Sequence, residues 1–167
     1  MDIEALARKV GQELKLRQLM LTTAESCTGG WVAQAVTSAS GSSDWFDCGF
    51  VTYTNQSKTE LLGVAESILS SYGAVSEQAA RAMVEGALAR SGAQVALAVT
   101  GIAGPTGGTA AKPVGTVWLA WTGANRVTKV ATHVFTGDRQ SIRHQAVRSA
   151  LKGLIDFLGE RVRSAEG

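Results

Sequence analysis

The run Val95-Ala96-Leu97-Ala98-Val99 constrains this chain more than any other stretch. Five consecutive apolar residues leave no polar side for water, so a strand here has to be covered on both faces. A sheet covered on both faces needs helices above and below it, and the flanking segments supply them. Ile3, Leu6, Ala7, Val10 and Leu14 share one helical face, and so do Ala80, Met83, Val84, Ala87 and Leu88 in a segment starting at Ser76. A last helix begins near Asp138, with Val147, Ala150, Leu151, Leu154 and Leu158 facing inward. Strands are predicted at Leu19-Met20-Leu21, from Trp45 to Tyr53, and from Val114 to Trp121 and Arg126 to Phe135, the last two joined by the hairpin Thr122-Gly123-Ala124-Asn125. Thr54-Asn55-Gln56-Ser57-Lys58 then turns into a short helix that ends near Gly63. This order predicts a three-layer α/β/α fold with a mixed sheet, and 167 residues suit one domain over 1–167.

The stretch Thr23-Ala24-Glu25-Ser26-Cys27-Thr28-Gly29-Gly30 joins the first predicted strand to an apolar-periodic segment, Trp31, Val32, Ala35 and Val36, that predicts a helix to about Ser38. A strand that turns tightly into a helix aims unpaired backbone N–H groups at the contents of the turn. Those contents are a carboxylate, two hydroxyls and a thiol: Glu25, Ser26, Cys27 and Thr28. Hydroxyls beside free N–H groups suit attack on a carbonyl or the holding of a phosphate. The plainer alternative is that Ser26 or Thr28 caps the helix. A second glycine-rich loop, Thr100 to Gly108, follows the buried strand. Ligand sites in such sheets gather where strands end and helices begin, so the two loops are expected on one rim.

A serine hydroxyl needs a base to take its proton. The chain has no GxSxG turn and no evident Ser/His/Asp set; His133 lies in a β-like run and His144 in a charged helix start. A lysine serves if burial lowers its pKa toward neutrality. Lys58, at a loop-to-helix junction after Val51-Thr52-Tyr53, is the best placed, although its position alone fits an ordinary solvated lysine. Cys27 at a helix start suits a nucleophile as well as a small core residue, and chemistry alone does not separate it from Ser26. The second loop offers backbone N–H groups and the hydroxyls of Thr100 and Thr106, and fits neither GxxxxGK[ST] nor GxGxxG. Lys112 could present an ammonium beside it. Arg139 and Arg143, four residues apart, share a helical face suited to a phosphate or carboxylate; surface pairing with Asp138 is the alternative.

The net charge of +2 is small and scattered, with no stripe for nucleic acid and no polybasic patch for a membrane. Met1-Asp2-Ile3-Glu4 is not a signal peptide, and no apolar run spans a bilayer. Two cysteines, Cys27 and Cys48, and two histidines give neither a disulfide framework nor a metal-ligand spacing, so no metal is expected. A cytoplasmic location is expected. Outward-facing Trp118 and Trp121 would fit a homo-oligomer; the same side chains suit the core.

Six motifs in order resemble the CinA C-terminal domain family: Ala24 to Gly30; Gly49-Phe50-Val51-Thr52-Tyr53 with Asn55 and Lys58; Gly73-Ala74-Val75-Ser76; Thr100-Gly101-Ile102-Ala103-Gly104-Pro105; Lys112 to Val117; and Gly137-Asp138-Arg139. The resemblance runs from about Leu6 to Leu158. It implies hydrolysis of the carboxamide of nicotinamide mononucleotide (NMN) to nicotinic acid mononucleotide and ammonia, in pyridine-nucleotide salvage, with no cofactor. The family's serine nucleophile falls on Ser26 and its lysine on Lys58. Tyr53 would orient Lys58 or stack on the substrate ring. Glu25, Thr28, Gly29, Asn55, Thr100, Gly101, Ala103, Gly104, Arg139 and Arg143 would bind substrate, with backbone N–H groups near Thr28 and Gly29 taking the oxyanion. Family members often carry a larger N-terminal domain with no counterpart here, so that domain's activity is expected to be absent. The rival expectation is a non-catalytic nucleotide-binding or interaction module linked to competence.

Overall fold

Side-chain size alternates along the central strand, and that alternation decides which helices lie on which face. The computed structural model describes residues 1–160 and places this strand, β3 (Val95–Gly101), in the middle of a five-stranded sheet. Val95, Leu97 and Val99 pack on one side and Ala96 and Ala98 on the other, as period-two geometry requires. The sheet order is β2-β1-β3-β4-β5, with β1 at Leu21–Glu25, β2 at Phe46–Val51, β4 at Thr116–Gly123 and β5 at Lys129–Val134. β1 runs parallel to both β2 and β3, whereas β4 is antiparallel to its two neighbours. The predicted mixed, three-layer α/β/α arrangement is therefore what the chain adopts.

The large-residue face is covered by α1 (Ile3–Arg17), α2 (Trp31–Thr37) and α6 (Arg139–Gly159). The alanine face is covered by α3 (Asn55–Leu62), α4 (Glu66–Tyr72) and α5 (Glu77–Ala89). Small residues on both sides of this second interface, Ala79, Ala80 and Ala87 against Ala24, Ala96, Ala98 and Ala120, let α5 lie close to the strands. Side-chain caps start most helices: Asp2 accepts from the Ala5 N–H, Ser76 from Ala79 and Asp138 from Ser141. Thr54 and Ser57 cap α3 reciprocally, the Thr54 hydroxyl accepting from Ser57 N–H and the Ser57 hydroxyl from Thr54 N–H.

Three details differ from expectation. The helix α4 was not foreseen, β1 and β4 each begin two residues further along the chain than their apolar patterns imply, and β5 is shorter than its pattern at both ends. Trp121 does not face outward: it is buried, its indole N–H donating to the Ala150 carbonyl at 3.0 Å, while Trp118 is half-buried against the alanine face. Among the described residues no helix is long and apolar enough to cross a membrane.

This topology positions the site. Because β1 and β3 are parallel neighbours, their C-terminal ends lie on one rim, and the Ser26 N–H extends the ladder by donating to the Val99 carbonyl at 3.0 Å. The parallel β2 ends beside them, where the Thr52 N–H donates to the Glu25 carbonyl at 2.9 Å. From there α3 turns back over the rim.

Candidate active site

Lys58 lies on the fourth residue of α3 and points inward, only 1% exposed, next to a Ser26 that is 8% exposed. Its Nζ donates to Ser26 Oγ at 3.0 Å and to the Thr52 carbonyl at 2.6 Å. The reciprocal cap at Thr54 and Ser57 fixes the first turn of α3, and so the direction from which the lysine enters. Burial pushes the Lys58 amine down to about 8, because removing water disfavours the charged form. A hydroxyl and a partly neutral amine thus meet in a nearly closed space.

The turn that carries Ser26 is braced from below and from the side. The Glu25 carboxylate is fully buried and accepts from Thr28 Oγ1 at 2.6 Å, Val32 N–H at 2.8 Å and Ala33 N–H at 3.1 Å. It therefore supplies the missing cap of α2, whose own cap position is Gly30 at φ +100. Gly29 at φ +60 and Gly30 both sit where a side chain would strain the backbone, so the turn needs these two glycines. Neither Ser26 nor Thr28 caps the helix, which leaves the Ser26 hydroxyl free to meet Lys58. From the side, Arg143 donates through Nε to the Cys27 carbonyl at 3.0 Å and through Nη2 to the Thr28 carbonyl at 3.1 Å. Its guanidinium also lies 5.6 Å from the Trp31 ring centre.

Two amides of the turn remain available. A trans peptide points its C=O and N–H in opposite directions, so the Thr28 N–H points away from Arg143. Neither it nor the Cys27 N–H donates to a backbone carbonyl among the described residues. The Gly29 N–H does not qualify, since it donates to the Ser26 carbonyl at 3.0 Å. Of the turn amides near Thr28 and Gly29, those of Cys27 and Thr28 are therefore the ones without a backbone acceptor among the described residues.

The second loop closes the other side. A side chain at Gly101 would press a Cβ to 2.7 Å from Val117 Cγ2 and 3.2 Å from Cys27 Sγ, so the first loop can pack here only against glycine. Thr100 is buried and donates to the Ala74 carbonyl at 2.8 Å, and Ala103 and Gly104 are buried as well. Arg139 bridges Nη1 to the Gly104 carbonyl at 2.7 Å and Nη2 to Tyr53 Oη at 3.0 Å.

The sequence model of the family described as "CinA C-terminal domain" matches residues 3–158. The chain belongs to the CinA C-terminal domain family. Within it, the chain is 52% identical over 155 residues to a protein of Pseudomonas putida named nicotinamide-nucleotide amidohydrolase PncC, covering 93% of this chain and 96% of that one. It is 51% identical over 152 residues to a CinA-like protein of Akkermansia muciniphila, covering 91% of this chain but 37% of that longer protein. Among solved structures, the competence/damage inducible protein CihA from Agrobacterium tumefaciens superposes with a TM-score of 0.93 at 48% identity, over 96% of this chain and 97% of that one.

In this CinA C-terminal domain several expected placements change. Among the described residues Tyr53 makes no hydrogen bond with Lys58; it is 59% exposed and bonded to Arg139. Arg139 and Arg143 are each tied to a different loop, the first to the Gly104 carbonyl and the second to the carbonyls of Cys27 and Thr28. Glu25 is closed off beneath the turn, with both oxygens engaged. Asn55 is exposed at the start of α3, and Lys112 Nζ donates to the Tyr72 carbonyl at 2.5 Å. Burial pushes the Cys27 thiol up to about 11, which keeps it protonated near neutrality. His133 stacks on Phe135 and His144 meets Trp31 edge-on; among the described residues no hydrogen bond links either to Ser26. Among the described residues, too, no cluster of His, Cys, Asp and Glu could hold a metal ion. The Thr52 carbonyl went unnoticed in the sequence, since a backbone acceptor has no residue signature; the Thr54-x-x-Ser57 cap had one.

Proposed function

We propose that this chain hydrolyses the carboxamide of NMN to nicotinic acid mononucleotide and ammonia, with Ser26 as nucleophile and Lys58 as the base that activates it. The contact of 3.0 Å between Lys58 Nζ and Ser26 Oγ carries this reading. Lys58 in its neutral form takes the Ser26 proton as Oγ bonds to the carboxamide carbon. The carbonyl oxygen gathers the negative charge and is held by the Cys27 and Thr28 amides, each worth roughly 3 kcal/mol of barrier. As the tetrahedral species collapses, the C–N bond breaks and Lys58 returns the proton to the departing nitrogen, which leaves as ammonia. Water then enters, gives a proton to Lys58 and attacks the ester carbon. Lys58 finally hands that proton to Ser26 Oγ, releasing the nicotinic acid product and restoring the site. The pyridinium of the substrate withdraws electrons from its carboxamide, so a serine with an amine base is sufficient.

The 52% identity to a protein named nicotinamide-nucleotide amidohydrolase PncC supports this choice of substrate over a non-catalytic module. Cys27 is the poorer nucleophile, because its thiol stays protonated and packs toward Gly101. Tyr53 and Arg139 stand at the exposed edge, where an aromatic ring can lie on the pyridinium and a guanidinium can meet the 5′-phosphate. Ser26→Ala is expected to abolish ammonia release from NMN while NMN binding, followed by calorimetry, stays within about threefold. Normal turnover in that variant would remove Ser26 from the chemistry. Binding without turnover in the parent, assayed on NMN, NAD and nicotinamide riboside, would favour the non-catalytic module.

A further inference from the structure

Glu25 is the one fully buried acid of the chain's described residues, and its position is unusual for a ligand-binding group. It is the last residue of β1, directly before Ser26, and its side chain turns under the loop rather than into the site. Oε1 accepts from both the Thr28 hydroxyl and the Val32 N–H, and Oε2 accepts from the Ala33 N–H. Thr28 is itself fully buried, so this network is closed to solvent. Three donors on two oxygens leave little capacity for a substrate.

We infer that Glu25 is a positioning residue: through Thr28 and the start of α2 it sets the direction of the Cys27 and Thr28 amides relative to Ser26 Oγ. The assignment rests on the acyl-transfer reading above. Both ends of the turn then have a fixed anchor. At one end the Ser26 N–H is held by the Val99 carbonyl; at the other Thr28 is held by Glu25. Arg143 grips the carbonyls between them, so the peptide units cannot rotate independently. The oxyanion is bound by the same units, and a donor displaced by about 1 Å can cost around a hundredfold in rate. A glutamine at position 25 keeps the volume but only one carbonyl oxygen. Its NH₂ must then face either the Ala33 N–H or the Thr28 and Val32 donors, and at least one bond of the network is lost.

Kinetics on NMN with the full chain decide the matter. In Glu25→Gln, kcat should fall about 10- to 100-fold with KM unchanged within about twofold and a cooperative melt retained. Thr28→Val removes only the hydroxyl and should lower kcat in the same sense by a smaller factor. The double variant should lose less than the product of the two, since both act through one hydrogen bond. A tenfold rise in KM with kcat intact would make Glu25 a substrate contact and overturn the inference. So would parental kcat in both single variants, or strictly multiplicative losses. If Glu25→Gln does not fold, the kcat and KM of Thr28→Val decide by the same split. An inactive Ser26→Ala beside unaffected Glu25 and Thr28 variants sinks only the positioning role. An active Ser26→Ala sinks the acyl-transfer reading itself.

Discussion

The two glycine-rich loops leave the same rim of the sheet, one strand apart, and they are built in opposite ways. The loop after β1 is short and buried from Glu25 through Thr28, with a carboxylate beneath it and a guanidinium beside it. The loop after β3 is long, exposed from Pro105 through Ala111, and tied down near its start by Thr100 and Arg139. A braced turn suits the atoms that react, because small displacements there are costly. A loosely tied loop suits a substrate that enters, is held and leaves. The proposed function assigns turnover to the first loop and capture to the second, and substitutions in each should separate the two.

The largest effect is expected where the braced turn meets Lys58. Lys58→Met should lower kcat for NMN by about a thousandfold or more, in the range of general-base loss. In the parent, kcat/KM should rise with pH and level off above about 8, since the neutral amine is the active form and burial pushes Lys58 down to about 8. A profile flat from pH 6 to 10 would deny Lys58 the role of base. A sharper contrast between the loops comes from the two arginines. Arg143→Ala removes the grip on the Cys27 and Thr28 carbonyls and should lower kcat about tenfold or more, with KM little changed. Arg139→Ala frees the second loop and should act mainly on KM, by several-fold, for NMN but not for nicotinamide riboside. Equal effects of the two substitutions on kcat and KM would dissolve the distinction.

The layers were legible because burial leaves a period. β3 reads as apolar throughout since both its faces are covered, and α1, α5 and α6 each carry one apolar face. The helix α4 escaped notice because ESILSSY is a seven-residue piece with a single buried residue, Leu69. At the site, residue type was readable and direction was not. Nothing in the local pattern says that Lys58 faces inward; its neighbours Gln56 and Glu60 are exposed, and only the fold brings its amine to Ser26 and the Thr52 carbonyl. The four-residue spacing of Arg139 and Arg143 does put them on one side of α6. Their separate carbonyl partners, Gly104 for one and Cys27 and Thr28 for the other, come from loops brought there by the sheet. Glu25 reads as a substrate-binding acid in the turn until its carboxylate is seen to cap α2 at Val32 and Ala33.

Holding an amine out of water has a consequence for the fold as a whole. Lys58 has its ordinary value near 10.5 in the unfolded chain and about 8 in the folded one, so between these pH values unfolding takes up a proton. Below about 8 the native state carries the full cost of an ill-hydrated ammonium, on the order of 3 kcal/mol. That cost is relieved as alkali removes the proton, and this residue's share of conformational stability climbs up to about pH 10.5. Denaturant titrations across that range, on the parent and on Lys58→Met, should show the climb in the first and not in the second. At neutral pH the methionine chain should be the sturdier and the idle one of the two.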